Sequence, residues 1–151
     1  MLEKIGEKMR RKVLWIVLGA FLLLLAALLL GEFLSAGSKD ADSAQARQAF
    51  IEALGWVCRA DSEQMQEVKI PDCSEGAMAD YNALMKAAGY DLAPYAGKTL
   101  QQYSYELENY PGYTQTVYLT LYVYEGRVVG GDIHSAALNG FMHELRPRPN
   151  D

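Results

Sequence analysis

One short region of the sequence combines acidic and histidine side chains. Asp132 and His134 are followed by His143 and Glu144, and the chain contains no other histidine. A histidine oriented by a carboxylate can act as a general acid or base, and two histidines with an acid can bind a metal. The spacing matches neither H-E-x-x-H nor a Cys/His zinc pattern. We therefore expect no metal, no cofactor and no assigned catalytic residue here, and keep an acid–base pair as an alternative to ordinary strand-end histidines.

The two cysteines, Cys58 and Cys73, leave two interpretations open. As a disulfide they would close a loop of about 16 residues and stabilise the fold by about 3 kcal/mol in the chain-entropy model. As reduced thiols they would be ordinary small side chains. Two cysteines alone do not predict a metal site.

Tyrosine is the most suggestive residue type, with ten copies in the chain. In residues 114–124, Val and Leu alternate with Tyr and Thr, which predicts a strand with one aliphatic and one Tyr/Thr face. If helices cover only the aliphatic face, the other face is exposed and suits a protein partner or a sugar ring. The alternative is the solvated face of an ordinary antiparallel sheet. The candidate binding residues are Thr116, Tyr118, Thr120, Tyr122 and Tyr124.

Other functional classes find little support in the sequence. It has no G-x-S-x-G elbow and no glycine-rich phosphate loop, which argues against common hydrolases and nucleotide-binding enzymes. The net charge is −5, and the part after residue 30 is acidic without a Lys/Arg cluster. These features exclude nucleic acid as the expected partner.

The first half of the folded region reads as helix, strand, strand, helix. The first helix should begin at Asp42 or Ser43, which can cap it, and end at Gly55. Short strands at 56–58 and 66–71 are expected to pair with each other. A capping box at 72–75 should open the second helix, which Gly89 ends.

The second half has the period of strands. Strands are predicted at 99–107, 114–124 and 127–133, joined by turns at 109–112 and at Glu125-Gly126, with a bulge at Gly130-Gly131. Residues 135–145 are expected to form a short helix or turn. We predict an α+β domain of two layers, in which two helices cover the aliphatic face of an antiparallel sheet. Its element order is helix-strand-strand-helix-strand-strand-strand-short helix.

The N-terminal part is organised around an uncharged apolar run at residues 13–30. That run is about 27 Å long as a helix, close to the thickness of a bilayer core. A basic flank at 1–12 predicts a cytoplasmic N-terminus. The expected division is a basic tail (1–12), a transmembrane signal anchor in the lipid bilayer (13–34), a flexible tether (35–42), an extracytoplasmic domain (43–146) and a frayed tail (147–151). A cleaved signal peptide is the alternative to a retained anchor.

A series of short motifs resembles a known family. They are G-W at 55–56, V-x-I-P at 68–71, Y-N at 81–82, G-Y-D-L at 89–92, Y-x-G-K at 95–98, N-Y-P at 109–111, G-G-D at 130–132 and G-F-M-H at 140–143. In this order they are similar to an uncharacterised bacterial family, domain of unknown function 4830, across residues 50–145. The resemblance implies a small domain with an N-terminal membrane segment, and it brings no activity or site residue.

Two hypotheses on function follow. The first is a membrane-tethered extracytoplasmic module that binds or regulates an envelope protein or wall polymer through its Tyr/Thr face. The second is a small envelope enzyme that uses His134, His143 and an acid, which requires the two histidines to converge. A structural protein without a ligand remains a third interpretation. The lack of a catalytic motif favours the binding module.

Overall fold

The computed structural model describes residues 39–149. The predicted tail at 1–12 and anchor at 13–34 lie outside these residues, as do residues 35–38 of the tether. Within the described part, no helix is long and apolar enough to cross a membrane.

The described chain contains two α-helices, a short 3-10 helix and five strands. The helices are α1 (Ala44–Ala53), α2 (Gly76–Ala87) and the 3-10 helix (Ala93–Tyr95). The strands are β1 (Gln64–Lys69), β2 (Thr99–Leu107), β3 (Val117–Tyr124), β4 (Arg127–Ser135) and β5 (Met142–Glu144). Ser43 caps α1 by accepting from the Ala46 backbone N–H, as the sequence predicted. The prediction of a capping box at 72–75 is wrong, because α2 begins after Glu75 and no side chain caps it.

All strand pairs are antiparallel, and the strands lie side by side in chain order from β1 to β5. This confirms the predicted α+β class and the meander of its second half. Glu125 and Gly126 both have positive φ (49° and 73°), as a two-residue hairpin turn between β3 and β4 requires.

The expected pairing of 56–58 with 66–71 is wrong. Cys58 forms an isolated bridge with Leu107, while β1 pairs with residues 99–104 of β2. Both segments therefore lie along the same edge of β2, one after the other. The nine residues of β2 offer more backbone groups than either short segment could offer the other, and positive φ at Asp61 (60°) turns the chain between them.

Of the short helix or turn expected at 135–145, the helix is wrong, and the turn is present but is followed by a strand. The chain turns at residues 136–140, and β5 then pairs with β4, so that Ile133 lies opposite His143. Backbone groups along β4 need partners, and pairing with β5 satisfies them where a helix would not.

The two helices cover opposite faces of the sheet, so the predicted two-layer arrangement is wrong. On the aliphatic face, α1 contributes Ile51 to a core that also contains Trp56 and the Val and Leu side chains of β3. On the Tyr/Thr face, α2 contributes Met85 to a second core with Leu92 and Leu100. Both faces near the middle of the sheet are therefore buried.

The predicted bulge makes room for α2. Tyr122 pairs with Gly130 and Val123 with Val128, so Val129 is the extra residue. A Cβ atom on Gly130 would lie 3.0 Å from Leu92 Cδ2. One on Gly131 would lie 2.4 Å from the Thr120 carbonyl oxygen. Glycine is needed at this point because the neighbouring backbone and side chains approach too closely for any other residue.

Candidate functional site

A buried carboxylate anchors a polar network beneath α2. Asp132 is 2% exposed, and its Oδ2 accepts a 2.5 Å hydrogen bond from the Tyr81 hydroxyl of α2. Its Oδ1 lies 2.7 Å from His134 Nδ1. Because Asp132 and His134 are two residues apart on β4, both side chains lie on the same face. The carboxylate orients the imidazole and directs Nε2 away from the network.

Asp132 contributes to a raised pKa in both of its neighbours, His134 and Tyr81. The hydrogen bond to Asp132 raises the pKa of His134 above its ordinary value, although burial acts in the opposite direction. Burial, together with the Asp132 charge, raises the pKa of Tyr81 far above its ordinary range. Tyr81 is therefore a permanent donor to the carboxylate.

The same network continues across the sheet. The hydroxyls of Tyr81 and Tyr122 are 3.2 Å apart, and Gln102 Nε2 donates to the Tyr122 hydroxyl at 3.2 Å. Gln66 on β1 donates to Gln102 Oε1 at 2.5 Å. The network thus joins α2 to four strands through polar side chains whose partners are within the protein.

The two histidines do not converge. His134 lies opposite Met142 and His143 opposite Ile133, so the histidine side chains are on opposite faces of the sheet. His143 Nε2 is 3.0 Å from the Tyr110 hydroxyl, and its Nδ1 is 2.8 Å from the Glu144 carbonyl oxygen. The structure therefore contradicts the convergence that an enzyme using both histidines needs. Residues 39–149 also contain no group of three or more His, Cys, Asp or Glu side chains placed to bind a metal.

The five candidate binding residues do not form one exposed surface. Thr120 is 1% exposed, and the Tyr122 hydroxyl belongs to the network under α2. Thr116 lies just before β3, and the Tyr118 ring is 5.6 Å from that of His134. Tyr124 is at the other end of the strand. The expectation of an open Tyr/Thr face fails because α2 packs on that face.

Tyr124 lines a groove of about 430 Å³ at the end of the sheet near the β3–β4 turn. Tyr90, after the Gly89 turn that follows α2, and Tyr95, in the 3-10 helix, line the same groove. The rings of Tyr95 and Tyr124 meet edge to face with centroids 5.3 Å apart. Lys39 and Arg127 also line it. Three separate chain segments therefore build one site, which we call the tyrosine groove.

Lysine side chains lie over the rings of the tyrosine groove. Lys39 Nζ is 4.2 Å from the centre of the Tyr90 ring. Lys98 Nζ is 4.7 Å from the centre of the Tyr124 ring and 5.4 Å from that of Tyr95. These cation–π contacts hold ammonium groups over the ring faces of the groove tyrosines.

Residues 39–42, which the sequence placed in the flexible tether, contact the turn beside this groove. The Ala41 N–H donates to the Gly126 carbonyl oxygen at 2.7 Å, and the Val128 N–H donates to that of Lys39 at 2.8 Å. Ala41 is 1% exposed. These contacts fix the backbone that carries Lys39.

The ten tyrosines divide by the state of their hydroxyl groups. Six are hydrogen-bonded within the described residues: Tyr81, Tyr103, Tyr105, Tyr110, Tyr113 and Tyr122. The other four, Tyr90, Tyr95, Tyr118 and Tyr124, have no such bond there. The described residues contain no buried side-chain polar atom without a partner, so these four hydroxyls reach solvent. Three of the four line the tyrosine groove.

Both cysteines are free thiols and pack in different cores. Cys58 lines a second hollow of about 250 Å³ beside Glu63 and Tyr105. Burial, with the charges of Glu108 and Glu52, raises the pKa of the Cys58 thiol to about 11. The reactive thiolate is therefore scarce at neutral pH, and this hollow is a weak candidate for nucleophilic chemistry.

Sequence reasoning missed most of the tyrosine groove. Tyr90, Tyr95 and Lys98 lie in residues 90–98, a turn-rich link between α2 and β2 to which no functional residue was assigned from the sequence. Two tyrosines in a Gly- and Pro-containing loop were a usable signal, because binding residues concentrate on loops held by a rigid scaffold. Lys39 and Arg127 gave no signal, since only the fold brings them to the same place.

Comparison with known families adds one finding. The family model described as Domain of unknown function (DUF4830) matches residues 50–133, more than half of the chain. No curated protein and no solved structure matches. The matched residues include α1 from Phe50 onward, α2 and most of the sheet, with both Asp132 and the groove tyrosines. The chain therefore belongs to the family described as Domain of unknown function (DUF4830).

Proposed function

We propose that this protein is a membrane-tethered binding module that holds a hydroxyl-bearing ring, such as a sugar unit of an envelope polymer, in the tyrosine groove. Residues 13–34 would anchor it in the bilayer with the domain outside the cell. The observation that carries the proposal is that three tyrosines whose hydroxyls reach solvent line one groove.

The hydroxyl groups give the groove its selectivity for a polar ring. Six tyrosines use their hydroxyls in hydrogen bonds within the described residues, whereas Tyr90, Tyr95 and Tyr124 keep theirs available, as Tyr118 does outside the groove. A tyrosine offers an apolar ring and a polar tip at low entropy cost, a combination that matches the two surfaces of a sugar. A volume of about 430 Å³ falls within the range of small-molecule sites.

The test uses saturation-transfer difference NMR on the purified full-length protein in detergent. The probes are four pyranoses: glucose, N-acetylglucosamine, glucuronic acid and glucose 6-phosphate. The variant is Tyr90→Phe/Tyr95→Phe/Tyr124→Phe, which keeps the rings and removes the hydroxyls. The matched control is Tyr118→Phe, which removes the fourth solvent-reaching hydroxyl at a distance from the groove.

We expect at least one pyranose to give a signal with the wild type and with Tyr118→Phe, and a loss of at least tenfold in affinity in the triple variant. Circular dichroism should show the same fold for all three proteins. Absence of a signal for every probe with the wild type, or equal binding by the triple variant, would overturn the proposal.

A second candidate function is acid–base catalysis at His134, favoured by the 2.7 Å contact between Nδ1 and a buried carboxylate. Such a carboxylate fixes the imidazole so that Nε2 can accept a proton. Hydrolysis of p-nitrophenyl acetate would test it. A rate above background that His134→Gln abolishes and His143→Gln preserves would favour this function, and equal rates for all three proteins would exclude it for this ester.

A further inference from the structure

Eight of the nine basic side chains in residues 39–149 fall into two groups, and the ninth, Arg148, donates from Nε to the Asn109 carbonyl oxygen at 3.2 Å. Arg47, Arg59, Lys86 and Arg146 each have a carboxylate oxygen within 4 Å, at 2.9, 2.6, 3.7 and 3.4 Å respectively. Lys39, Lys69, Lys98 and Arg127 form no ion pair with any described residue. Three of these four cations are at the tyrosine groove, either lining it or lying over its rings.

The acidic residues of the groove neutralise these cations poorly. Asp91 and Glu125 are the acidic residues that line it. Asp91 is already engaged, because it accepts from Asn82 Nδ2 at 2.8 Å and from the Ala93 N–H at 3.0 Å and lies 3.7 Å from Lys86 Nζ. Glu125 lines the groove and Asp40 lies opposite Arg127 in an isolated bridge, but none of Lys39, Lys98 and Arg127 forms an ion pair with a described residue.

From these cations without ion pairs we infer that the tyrosine groove selects a sugar that carries a carboxylate or a phosphate group. The inference rests on the proposed function for the location of the site and adds the charge of the ligand. Arg127 has a planar guanidinium that suits two-point contact with either anion. Lys39 and Lys98 would add ammonium donors from the ring faces, beside the tyrosine hydroxyls that contact the sugar.

The placement of the lysines favours this ligand over a neutral sugar. A neutral pyranose binds aromatic side chains best by lying flat on an open ring. Here ammonium groups already lie 4.2 and 4.7 Å from the centres of the Tyr90 and Tyr124 rings. An anionic group would pair with these cations without displacing them, whereas a neutral ring would have to compete with them.

The test compares three ligands of the same ring by isothermal titration calorimetry on the full-length protein in detergent. Glucose is neutral, glucuronic acid carries a carboxylate and glucose 6-phosphate carries a phosphate. The variants are Arg127→Gln and Lys39→Gln. The matched control is Lys69→Gln. Lys69 also lacks an ion pair among the described residues, but it lies opposite Thr99 in the β1–β2 register, and its side chain is on the other face of the sheet from Tyr124.

We expect at least one of the two anionic sugars to bind at least tenfold more tightly than glucose, with an affinity that falls as sodium chloride is raised. Arg127→Gln and Lys39→Gln should each remove most of this preference, measured as the ratio of the affinity for the anionic sugar to that for glucose. Lys69→Gln should behave as the wild type. The anionic sugar with the larger gain in affinity over glucose identifies the preferred anion as a carboxylate or a phosphate.

Two outcomes would overturn the inference, and they are distinguishable. Equal affinity for glucose and both anionic sugars would refute selection by charge and leave the tyrosine groove as a sugar site. Failure of all three sugars to bind would refute the inference, and it would refute the proposed function as well if N-acetylglucosamine also gave no signal.

Discussion

Tyr122 and Tyr124 lie two residues apart on the same face of β3, and the structure gives them opposite environments. The hydroxyl of Tyr122 is enclosed by Tyr81 and Gln102, whereas Tyr124 lines the tyrosine groove and its hydroxyl has no partner in the described residues. The difference arises from the packing above them, because α2 covers the middle of this face and leaves its end near the turn open. Identical residues on one strand can therefore serve stability or binding.

The same contrast applies to the wider regions to which these tyrosines belong. The Asp132 network is closed, since each carboxylate oxygen has a partner and the neighbouring hydroxyls point inward. The tyrosine groove is open, since its hydroxyls and its Arg127 guanidinium have no partner in the described residues. Substitutions in the closed network should change the free energy of unfolding, whereas those in the open groove should change affinity.

The largest effect is expected from Asp132→Ala. It removes the acceptor that Tyr81 and His134 share and leaves a buried hydroxyl without its main partner. We expect the free energy of unfolding to fall by about 2–3 kcal/mol. Urea unfolding followed by circular dichroism measures it, with Glu67→Ala on the exposed face of β1 as a control that should stay within about 0.5 kcal/mol. An equally small loss for both variants would contradict a closed network.

A smaller loss is expected from Tyr81→Phe. The substitution keeps the ring packed against the sheet and removes one donor from a buried carboxylate, which should lower the free energy of unfolding by about 1–2 kcal/mol. The same urea titration measures it. If stability were unchanged, the 2.5 Å contact with Asp132 would not contribute to holding α2 on the sheet.

The closed network should also make stability depend on pH. The pKa of His134 is raised in the folded state, so the protonated imidazole pairs with Asp132 more favourably than it is solvated in the unfolded chain. This stabilisation is complete below the ordinary histidine pKa of 6.5 and is lost as the pH rises through the raised folded value. Urea unfolding at about pH 6 and pH 8.5 should therefore show a larger loss for the wild type than for His134→Gln. Parallel losses in the two proteins would refute the pairing.

The smallest effect on stability is expected from Tyr124→Phe. Its hydroxyl has no partner in the described residues, so the free energy of unfolding should change by less than about 0.5 kcal/mol. Thermal and urea unfolding of this variant beside Tyr81→Phe give the most direct comparison of the two regions. A loss as large as that of Tyr81→Phe would mean that the groove hydroxyl is structural.

Local features of the fold could be predicted because short-range physics determines them. Ser43 caps α1, Glu125-Gly126 forms the hairpin turn and the glycine pair marks the bulge of β4, each within a few residues of its sequence signal. The alternation in β3 also gave the correct aliphatic core. The partner of residues 56–58 and the strand at Met142–Glu144 were not predicted, because both depend on which edge of β2 or β4 is available.

The candidate site shows the same limit more strongly. Tyr124 was predicted as a binding residue and lines the groove, but Thr120 and Tyr122 were assigned to the same surface and are enclosed instead. The sequence contains no information local to β3 that separates these residues, since they share one face and one periodicity. Only the position of α2 separates them.

By itself, the sequence determined the composition of the parts: an apolar run, an acidic domain, two helices and strands with an aliphatic and a tyrosine face. These follow from periodicity, caps and turns, which act between neighbours along the chain. The tertiary structure alone decided that the helices cover opposite faces, that the two histidines are separated by the sheet and that Lys39, Lys98 and Arg127 gather around three tyrosines. The reason is that these contacts join residues far apart in sequence. Local sequence signals do not distinguish between the alternative contacts, and the packing of the whole sheet selects one of them.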